Sequence, residues 1–179
     1  QEVATESHCP SISWGVVAGG TLAHHGFVGE LDDGAAPTAQ TVYRIASMTK
    51  SFTAAAVLAL RDEGVWSLDD VVARYAPELR TVTGPPGSPP ITLRHLLSMT
   101  SGLATDDAWA DRHLDFTAAE IDAIYAGGPT FSRRPNAGYE YSNLGFAMIG
   151  RAIERATGIR AQQQITDRFL DPLGLHDTT

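Results

Sequence analysis

The hydrophobic and polar positions divide this chain into a short N-terminal part with the pattern of strands and a longer part with the pattern of helices. Residues 11–18 are rich in β-forming side chains and predict a strand. The Gly19-Gly20 pair predicts a hairpin turn into a second strand over residues 21–31. Residues 41–46 predict a short third strand, so we expect the strands to lie within about residues 11–46.

A helical region of about five helices is predicted over about residues 47–179. The first helix follows Ser47 and has almost no polar face over residues 52–60, which predicts burial on all sides. Gly64 is its predicted C-terminal stop, because glycine readily adopts the left-handed conformation that ends many helices. The other helices are predicted from Thr92 to near Gly102, from Thr117 to Gly127, over residues 144–156 and over residues 160–169.

The length of 179 residues is enough for one hydrophobic core and favours a single domain. The Gly- and Pro-rich residues 84–90 predict a surface loop within that domain, because the stretch is too short for an interdomain linker. Two or three strands are marginal as a sheet, and a buried central helix needs more structure to pack against. The predicted strands are therefore too few for a finished domain.

The composition excludes several classes of function. Thirteen basic and twenty-one acidic residues leave a net charge of −8 with no basic stripe, which opposes binding to nucleic acid. No apolar run approaches the roughly 18 residues that cross a bilayer, so no membrane span is expected. Cys9 is the single cysteine, which rules out an intrachain disulfide. The sequence starts at Gln1 without a signal-peptide pattern, so the localisation (periplasmic, secreted or cytoplasmic) stays open.

The only lysine of the chain, Lys50, follows Ser47 by three residues, whereas the other twelve basic side chains are arginines. On a helix this spacing places the amine one turn from the hydroxyl. Unlike arginine, a buried lysine can lose its proton and act as a base, so Ser47 is a candidate nucleophile and Lys50 its base. The backbone N–H of Ser47 is a candidate oxyanion donor. The alternative is a helix-capping serine beside an incidental surface lysine.

A second candidate element, Tyr141-Ser142-Asn143, stands just before the predicted helix over residues 144–156. In an extended segment residues i and i+2 point the same way, so Tyr141 and Asn143 can face one site together. A tyrosine beside an ammonium group can serve as an acid or a base. The alternative is that Tyr141 is a core aromatic and that Ser142 or Asn143 caps the helix.

Together, Ser47-Met48-Thr49-Lys50 and Tyr141-Ser142-Asn143 resemble the motifs of the serine β-lactamase and penicillin-binding-protein superfamily. The resemblance is closest to the branch that contains class C β-lactamases, DD-peptidases and family VIII esterases. It extends over nearly the whole chain, because residues 43–53, 91–103 and 170–175 also resemble segments of that branch.

The resemblance implies an α/β (α+β) fold of the β-lactamase/transpeptidase type, in which helices flank an antiparallel sheet. It implies acyl transfer in which Ser47 attacks a carbonyl and Lys50 takes the serine proton. Tyr141 helps to protonate the leaving group and later activates the deacylating water. Asn143 orients Lys50 and contacts the substrate, and the Ser47 N–H is one oxyanion donor. No cofactor or metal is implied. The substrate stays open among esters, amides, β-lactams and D-amino-acid peptides.

The third motif of that family, a Lys- or His-Thr-Gly strand, does not occur in these residues. We therefore expect residues 1–179 to be the N-terminal portion of one β-lactamase-like catalytic domain. A downstream segment or a second chain of the same gene would complete it, with the remaining strands and a second oxyanion donor. Two alternatives remain: a non-catalytic protein that keeps the fold for binding or scaffolding, and a hydrolase fragment that is inactive because half of its site is absent.

Other kinds of site have weaker support. The sequence has no Gly-x-Ser-x-Gly elbow, so an α/β-hydrolase triad has no anchor. The histidines lack metal-ligand spacing: His24 and His25 would point to opposite faces of a strand, and His95 is expected to pack or hydrogen-bond within its helix. The acidic loop around Trp109 falls where the family has the rim of its site, although a solvated loop with one anchoring aromatic explains it equally well.

Overall fold

The structure is a computed structural model that describes residues 9–105 and 116–178. The chain divides into two compact units, Gln1–Arg44 and Ile45–Thr179. Among the described residues, no helix has both the length and the apolar character needed to cross a membrane.

The first unit is built on a β-hairpin. Strand β1 (Ser11–Ala18) pairs antiparallel with β2 (Thr21–Gly29), as the sequence predicted, and the register runs from Ser11 opposite Gly29 to Ala18 opposite Thr21. Trp14 lies opposite Gly26, where a Cβ would be only 2.1 Å from the indole ring, so the strand needs glycine at that point.

The predicted third strand over residues 41–46 is wrong. Within the described residues the sheet has two strands, and the backbone of this segment makes turn hydrogen bonds instead. The N–H of Thr41 bonds to the carbonyl of Thr38, and the N–H of Met48 bonds to that of Ile45. A β-forming composition makes a strand only where another strand accepts its hydrogen bonds, which the local pattern does not reveal.

The second unit contains five α-helices among its described residues. They are α1 (Thr49–Asp62), α2 (Leu93–Leu97), α3 (Ala118–Ala126), α4 (Asn143–Thr157) and α5 (Ala161–Ile165). Short 3₁₀ turns precede α1 (Ala46–Met48) and α2 (Val72–Arg74 and Pro77–Thr81). The predicted helix over residues 160–169 is α5 followed by a π-helical turn, Thr166–Leu170.

The helix ends largely agree with the capping signals. Thr92 and Thr117 begin α2 and α3 with reciprocal capping hydrogen bonds, and Gly64 and Gly158 follow α1 and α4 in the left-handed conformation. Helix α2 stops at Leu97, five residues before the predicted end at Gly102. The reason is Met99, whose φ of 57° is incompatible with a continuing helix.

The core of this unit lies between one face of α1 and a stripe of α4. The fully buried residues of α4 recur at the spacing of a helical stripe, and in α1 only one face is deeply buried. The expectation that α1 is buried on all sides is therefore wrong, since Leu58 is 37% exposed. The core residues on the two helices are Ala56, Val57 and Leu60 of α1 and Met148, Ile149, Ala152 and Ile153 of α4.

An ion-pair network attaches the outer side of α4 to its neighbours. Arg151, whose side chain is 11% exposed, pairs with Glu78, Asp122 and Glu154. Glu78 also receives a hydrogen bond of 2.7 Å from Arg155. The network therefore links three elements by ion pairs: α4, α3 and the 3₁₀ turn Pro77–Thr81.

The hydroxyl of Tyr125 gives a test of how burial affects stability. The side chain is fully buried, burial raises its pKa, and no group of residues 9–105 or 116–178 forms a hydrogen bond with its hydroxyl. Tyr75 differs, because its hydroxyl donates a 2.6 Å hydrogen bond to Asp70.

We predict that Tyr125→Phe raises the free energy of unfolding by about 1 kcal/mol, since it removes a desolvated hydroxyl, whereas Tyr75→Phe lowers it by about 1.5 kcal/mol. Urea unfolding of both variants beside the wild type measures the two changes. A Tyr125→Phe variant as destabilised as Tyr75→Phe would contradict the prediction.

Candidate active site

Ser47 lies at the centre of the 3₁₀ turn Ala46–Met48, directly before α1, and its side chain is exposed. Ala46 has a φ of 44°, a conformation that residues with a Cβ rarely adopt. Such backbone strain is concentrated at functional sites in proteins. The strained residue therefore lies directly beside the candidate nucleophile.

Lys50 stands one turn further on, in the first turn of α1, and is partly buried. Its Nζ donates a hydrogen bond of 3.0 Å to Ser47 Oγ and one of 2.7 Å to Asn143 Oδ1. Asn143 is the first residue of α4, so the lysine joins the beginnings of two helices that are 93 residues apart in sequence.

Tyr141 completes the cluster. Its hydroxyl is 2.5 Å from Ser47 Oγ, a distance at which either oxygen can be the donor. Lys50 Nζ lies 4.9 Å from the centroid of the Tyr141 ring, within cation–π range. The structure thus brings together all four residues that the two motifs singled out: Ser47, Lys50, Tyr141 and Asn143.

Ser142 explains why its two neighbours point the same way. It is 2% exposed, and its Oγ accepts a hydrogen bond of 3.0 Å from the N–H of Gly145, so it is the N-cap of α4. Its own N–H contacts Met99 Sδ at 3.3 Å. Because successive side chains of extended backbone alternate, fixing Ser142 inward leaves Tyr141 and Asn143 on the side of Lys50.

Sequence reasoning missed Phe146. Its ring centroid is 5.6 Å from Lys50 Nζ, so Nζ lies within cation–π range of two aromatic rings, those of Tyr141 and Phe146. Phe146 follows Asn143 by three residues, and residues three apart on a helix are neighbours on its surface. The spacing of three residues from Asn143 is the sequence signal that could have identified Phe146.

His95 supports the segment that leads to Tyr141. Its Nδ1 accepts a hydrogen bond from the N–H of Thr92, as expected for a histidine that bonds within its helix, and its Nε2 is 2.8 Å from Asn136 Nδ2. Asn136 has a φ of 66°, and its N–H donates to the carbonyl of Thr100. Burial lowers the pKa of His95, because it disfavours the charged imidazolium.

The described residues contain no group of three His, Cys, Asp or Glu side chains that could hold a metal ion. The acidic loop around Trp109, with Asp106, Asp107 and Asp111, lies outside the described residues, so its expected place at the rim of the site stays a prediction.

With the site's geometry established, comparison with known proteins defines the class. The Beta-lactamase family model matches residues 1–179. The chain belongs to this family, within the superfamily of serine β-lactamases and penicillin-binding proteins.

Two curated relatives and one solved structure illustrate the similarity. Protein flp of Staphylococcus aureus (strain MW2) is 34% identical over 81% of this chain and 29% of the relative. Penicillin-binding protein 4* of Bacillus subtilis is 30% identical over 89% of this chain and 35% of the relative. The octameric penicillin-binding protein homologue from Pyrococcus abyssi has a TM-score of 0.80 at 27% identity, over 98% of this chain and 41% of that chain.

These comparisons confirm the predicted β-lactamase/transpeptidase-like fold, with its helices and a small antiparallel sheet. The chain spans about a third of the length of the curated relatives that it matches.

We predict that His95 makes stability depend on pH. Its folded pKa lies below the ordinary value of about 6.5, so the unfolded chain binds a proton first as the pH falls. Its contribution is therefore complete above about pH 6.5 and is lost as the pH falls towards the folded pKa.

The matched variant is His95→Gln, because glutamine at this position can still accept the Thr92 N–H but does not titrate. Urea unfolding at about pH 7.5 and about pH 5 should show a smaller loss of stability for His95→Gln than for the wild type. Equal losses would show that His95 is not responsible.

Proposed function

We propose that this chain carries the nucleophile, the base and the acid of a serine hydrolase that acts through a covalent acyl-enzyme. One observation supports this most strongly: Lys50 Nζ is 3.0 Å from Ser47 Oγ while Asn143 Oδ1 holds it from the other side at 2.7 Å. A hydroxyl at hydrogen-bond distance from an amine that is oriented by a third group has the arrangement of an activated nucleophile.

In the proposed acylation, Lys50 Nζ is the base that takes the Ser47 proton. One of its N–H bonds donates to Asn143 Oδ1, and for the reaction its lone pair takes the place of the N–H that points at Ser47 Oγ in the structure. As Ser47 Oγ forms a bond to the substrate carbonyl carbon, its proton passes to Lys50 Nζ. The carbonyl electrons move to the oxygen, where the Ser47 N–H is one donor to the developing oxyanion. A second donor is expected from the third motif of the family.

Tyr141 handles the protons of the leaving group and of the deacylating water. Its hydroxyl, 2.5 Å from Ser47 Oγ, is close enough to protonate the leaving group when the tetrahedral intermediate collapses. In deacylation, the same oxygen regains its proton from the attacking water, and Lys50 returns its proton to Ser47 Oγ as the acyl group leaves. Asn143 keeps Lys50 in place through both steps and is also proposed to contact the acyl side chain.

The proposed substrate class is an acyl compound: an ester, an amide, a β-lactam or a D-amino-acid peptide. The relatives include a protein named for penicillin binding, which supports a β-lactam or a peptide as a candidate. We propose a broad acyl hydrolase and place esters first for assay, because an activated ester needs the least help from groups other than Ser47, Lys50 and Tyr141.

Covalent labelling tests the nucleophile. We predict that the protein forms a one-to-one adduct with a fluorophosphonate or a penicillin and that Ser47→Ala forms none, because the alanine has no oxygen to acylate. Intact-mass spectrometry measures both. Equal labelling of the two proteins would remove Ser47 from the mechanism, and reversible penicillin binding without an adduct would favour a non-catalytic binding protein.

The role of Lys50 has a separate test. We predict that Lys50→Arg slows ester acylation by about 10²–10⁴-fold, because a guanidinium keeps its positive charge and its hydrogen bonds but cannot accept the serine proton. Stopped-flow measurement of the p-nitrophenol burst gives the rate. Acylation of Lys50→Arg at the wild-type rate would contradict the assignment of Lys50 as the base.

Comparing p-nitrophenyl esters with a chromogenic cephalosporin separates the two main activities. Turnover of esters alone is expected for an esterase, and turnover of the cephalosporin for a β-lactamase. A stable penicillin adduct without turnover is the behaviour of a penicillin-binding protein.

A further inference from the structure

Glu140, the residue directly before Tyr141, is the centre of a polar cluster that the proposed mechanism does not use. Its carboxylate accepts hydrogen bonds from the Thr105 hydroxyl (2.8 Å), the Thr105 N–H (3.3 Å) and the Arg133 guanidinium (2.7 Å). The hydroxyls of Thr105 and Ser132 contribute most to holding the pKa of Glu140 below its ordinary value. The side chain is 16% exposed, so this charge is largely enclosed by its partners.

The close approach of two chain segments brings those partners together. The N–H of Ser132 donates to the carbonyl of Gly102 at 2.9 Å, and the N–H of Ala104 donates to that of Thr130 at 3.0 Å. A Cβ on Gly102 would lie 2.3 Å from the carbonyl oxygen of Arg133, and Gly102 has a φ of 79°. Only glycine allows this contact, which brings Thr105 and Arg133 to opposite sides of the Glu140 carboxylate.

Thr105 connects this cluster to the candidate active site. Its Oγ1 is 2.8 Å from Glu140 Oε1 and 2.9 Å from the carbonyl oxygen of Tyr141. An ionised carboxylate and a carbonyl are both acceptors, so the single hydroxyl proton of Thr105 is shared between them. The backbone on the other side of Glu140 is held as well, because its N–H donates to the carbonyl of Met99 at 2.8 Å.

We infer that Thr105, held by Glu140, is a positioning residue that fixes the backbone of Tyr141 and thereby the place of its hydroxyl. This inference rests on the proposed role of Tyr141. A tyrosine hydroxyl is about 6.5 Å from its Cα, so a tilt of about 10° at the backbone moves it by about 1 Å. A displacement of about 1 Å in a catalytic group can cost up to about 10²-fold in rate.

The first test compares Thr105→Val with Thr105→Ser. Valine has nearly the shape of threonine but no hydroxyl, and serine keeps the hydroxyl. With p-nitrophenyl acetate we expect Thr105→Val to lower kcat about tenfold with KM within about twofold, and Thr105→Ser to stay within about twofold of the wild type. Titration with a fluorophosphonate counts the competent sites, so a loss of folded protein is separated from a loss of rate.

A double-mutant cycle with Tyr141→Phe decides whether Thr105 acts through the tyrosine hydroxyl. In that background we expect Thr105→Val to have no further effect, because the group that it positions is gone. Glu140→Gln, which cannot hold Thr105 by the same charge, should likewise lower kcat in the wild type and have no effect in Tyr141→Phe. A tenfold loss that persists in Tyr141→Phe would show a general structural role and overturn the inference.

The remaining outcomes distinguish this inference from the proposed function. If the wild type gives a covalent adduct and Thr105→Val reacts at the wild-type rate, the inference fails and the proposed function stands. If Tyr141→Phe reacts as the wild type does, the role of Tyr141 and this inference fail together, whereas the Ser47 adduct remains. If the wild type forms no adduct with any of the reagents, both proposals fail.

Discussion

The contact between Lys50 Nζ and Asn143 Oδ1 is the interaction on which the candidate site depends. It joins the first turn of α1 to the first residue of α4, and it leaves the amine 3.0 Å from Ser47 Oγ. An amine that is held by one acceptor can still interact with a second neighbour, and here that neighbour is the Ser47 hydroxyl. The hydrogen bond to Asn143 offsets part of the conformational entropy that the Lys50 side chain, with four rotatable bonds, loses in this position.

The core of the second unit makes this contact possible. The buried face of α1 and the buried stripe of α4 belong to one hydrophobic cluster, and this packing fixes the spacing of the two helices. The cap formed by Ser142 adds the local control, because it turns the residues on either side of it towards Lys50. Packing therefore sets the distance between the helices, and a single hydrogen-bonded serine sets the direction of the side chains.

Membership of the β-lactamase family agrees with this arrangement. The chain spans 29% of protein flp and 35% of penicillin-binding protein 4*. The proposed reaction type therefore rests on the geometry around Ser47, whereas the proposed substrate class rests on the family and its relatives.

Much of the fold could be predicted from local patterns. The hairpin, the existence of five helices and the caps at Thr92 and Thr117 follow from interactions between residues close in sequence, and the structure agrees. Two of the errors concern partners distant in sequence, whereas the early end of α2 comes from the local conformation of Met99. Within residues 9–105 and 116–178, residues 41–46 pair with no strand, and α1 is deeply buried on one face only. A short window of sequence does not show which distant residues will pack or pair with it.

The candidate site divides in the same way. Residue type and spacing were enough to select Ser47, Lys50, Tyr141 and Asn143, because a serine one turn from the only lysine and a Tyr-x-Asn before a helix are local chemical patterns. Helix packing brings the two patterns together at Lys50, because it places residues that are 93 positions apart in sequence in contact. The aromatic rings near Lys50 Nζ and the Thr105–Glu140 cluster also depend on the tertiary structure. They depend on distances across the fold, and only folding sets those distances.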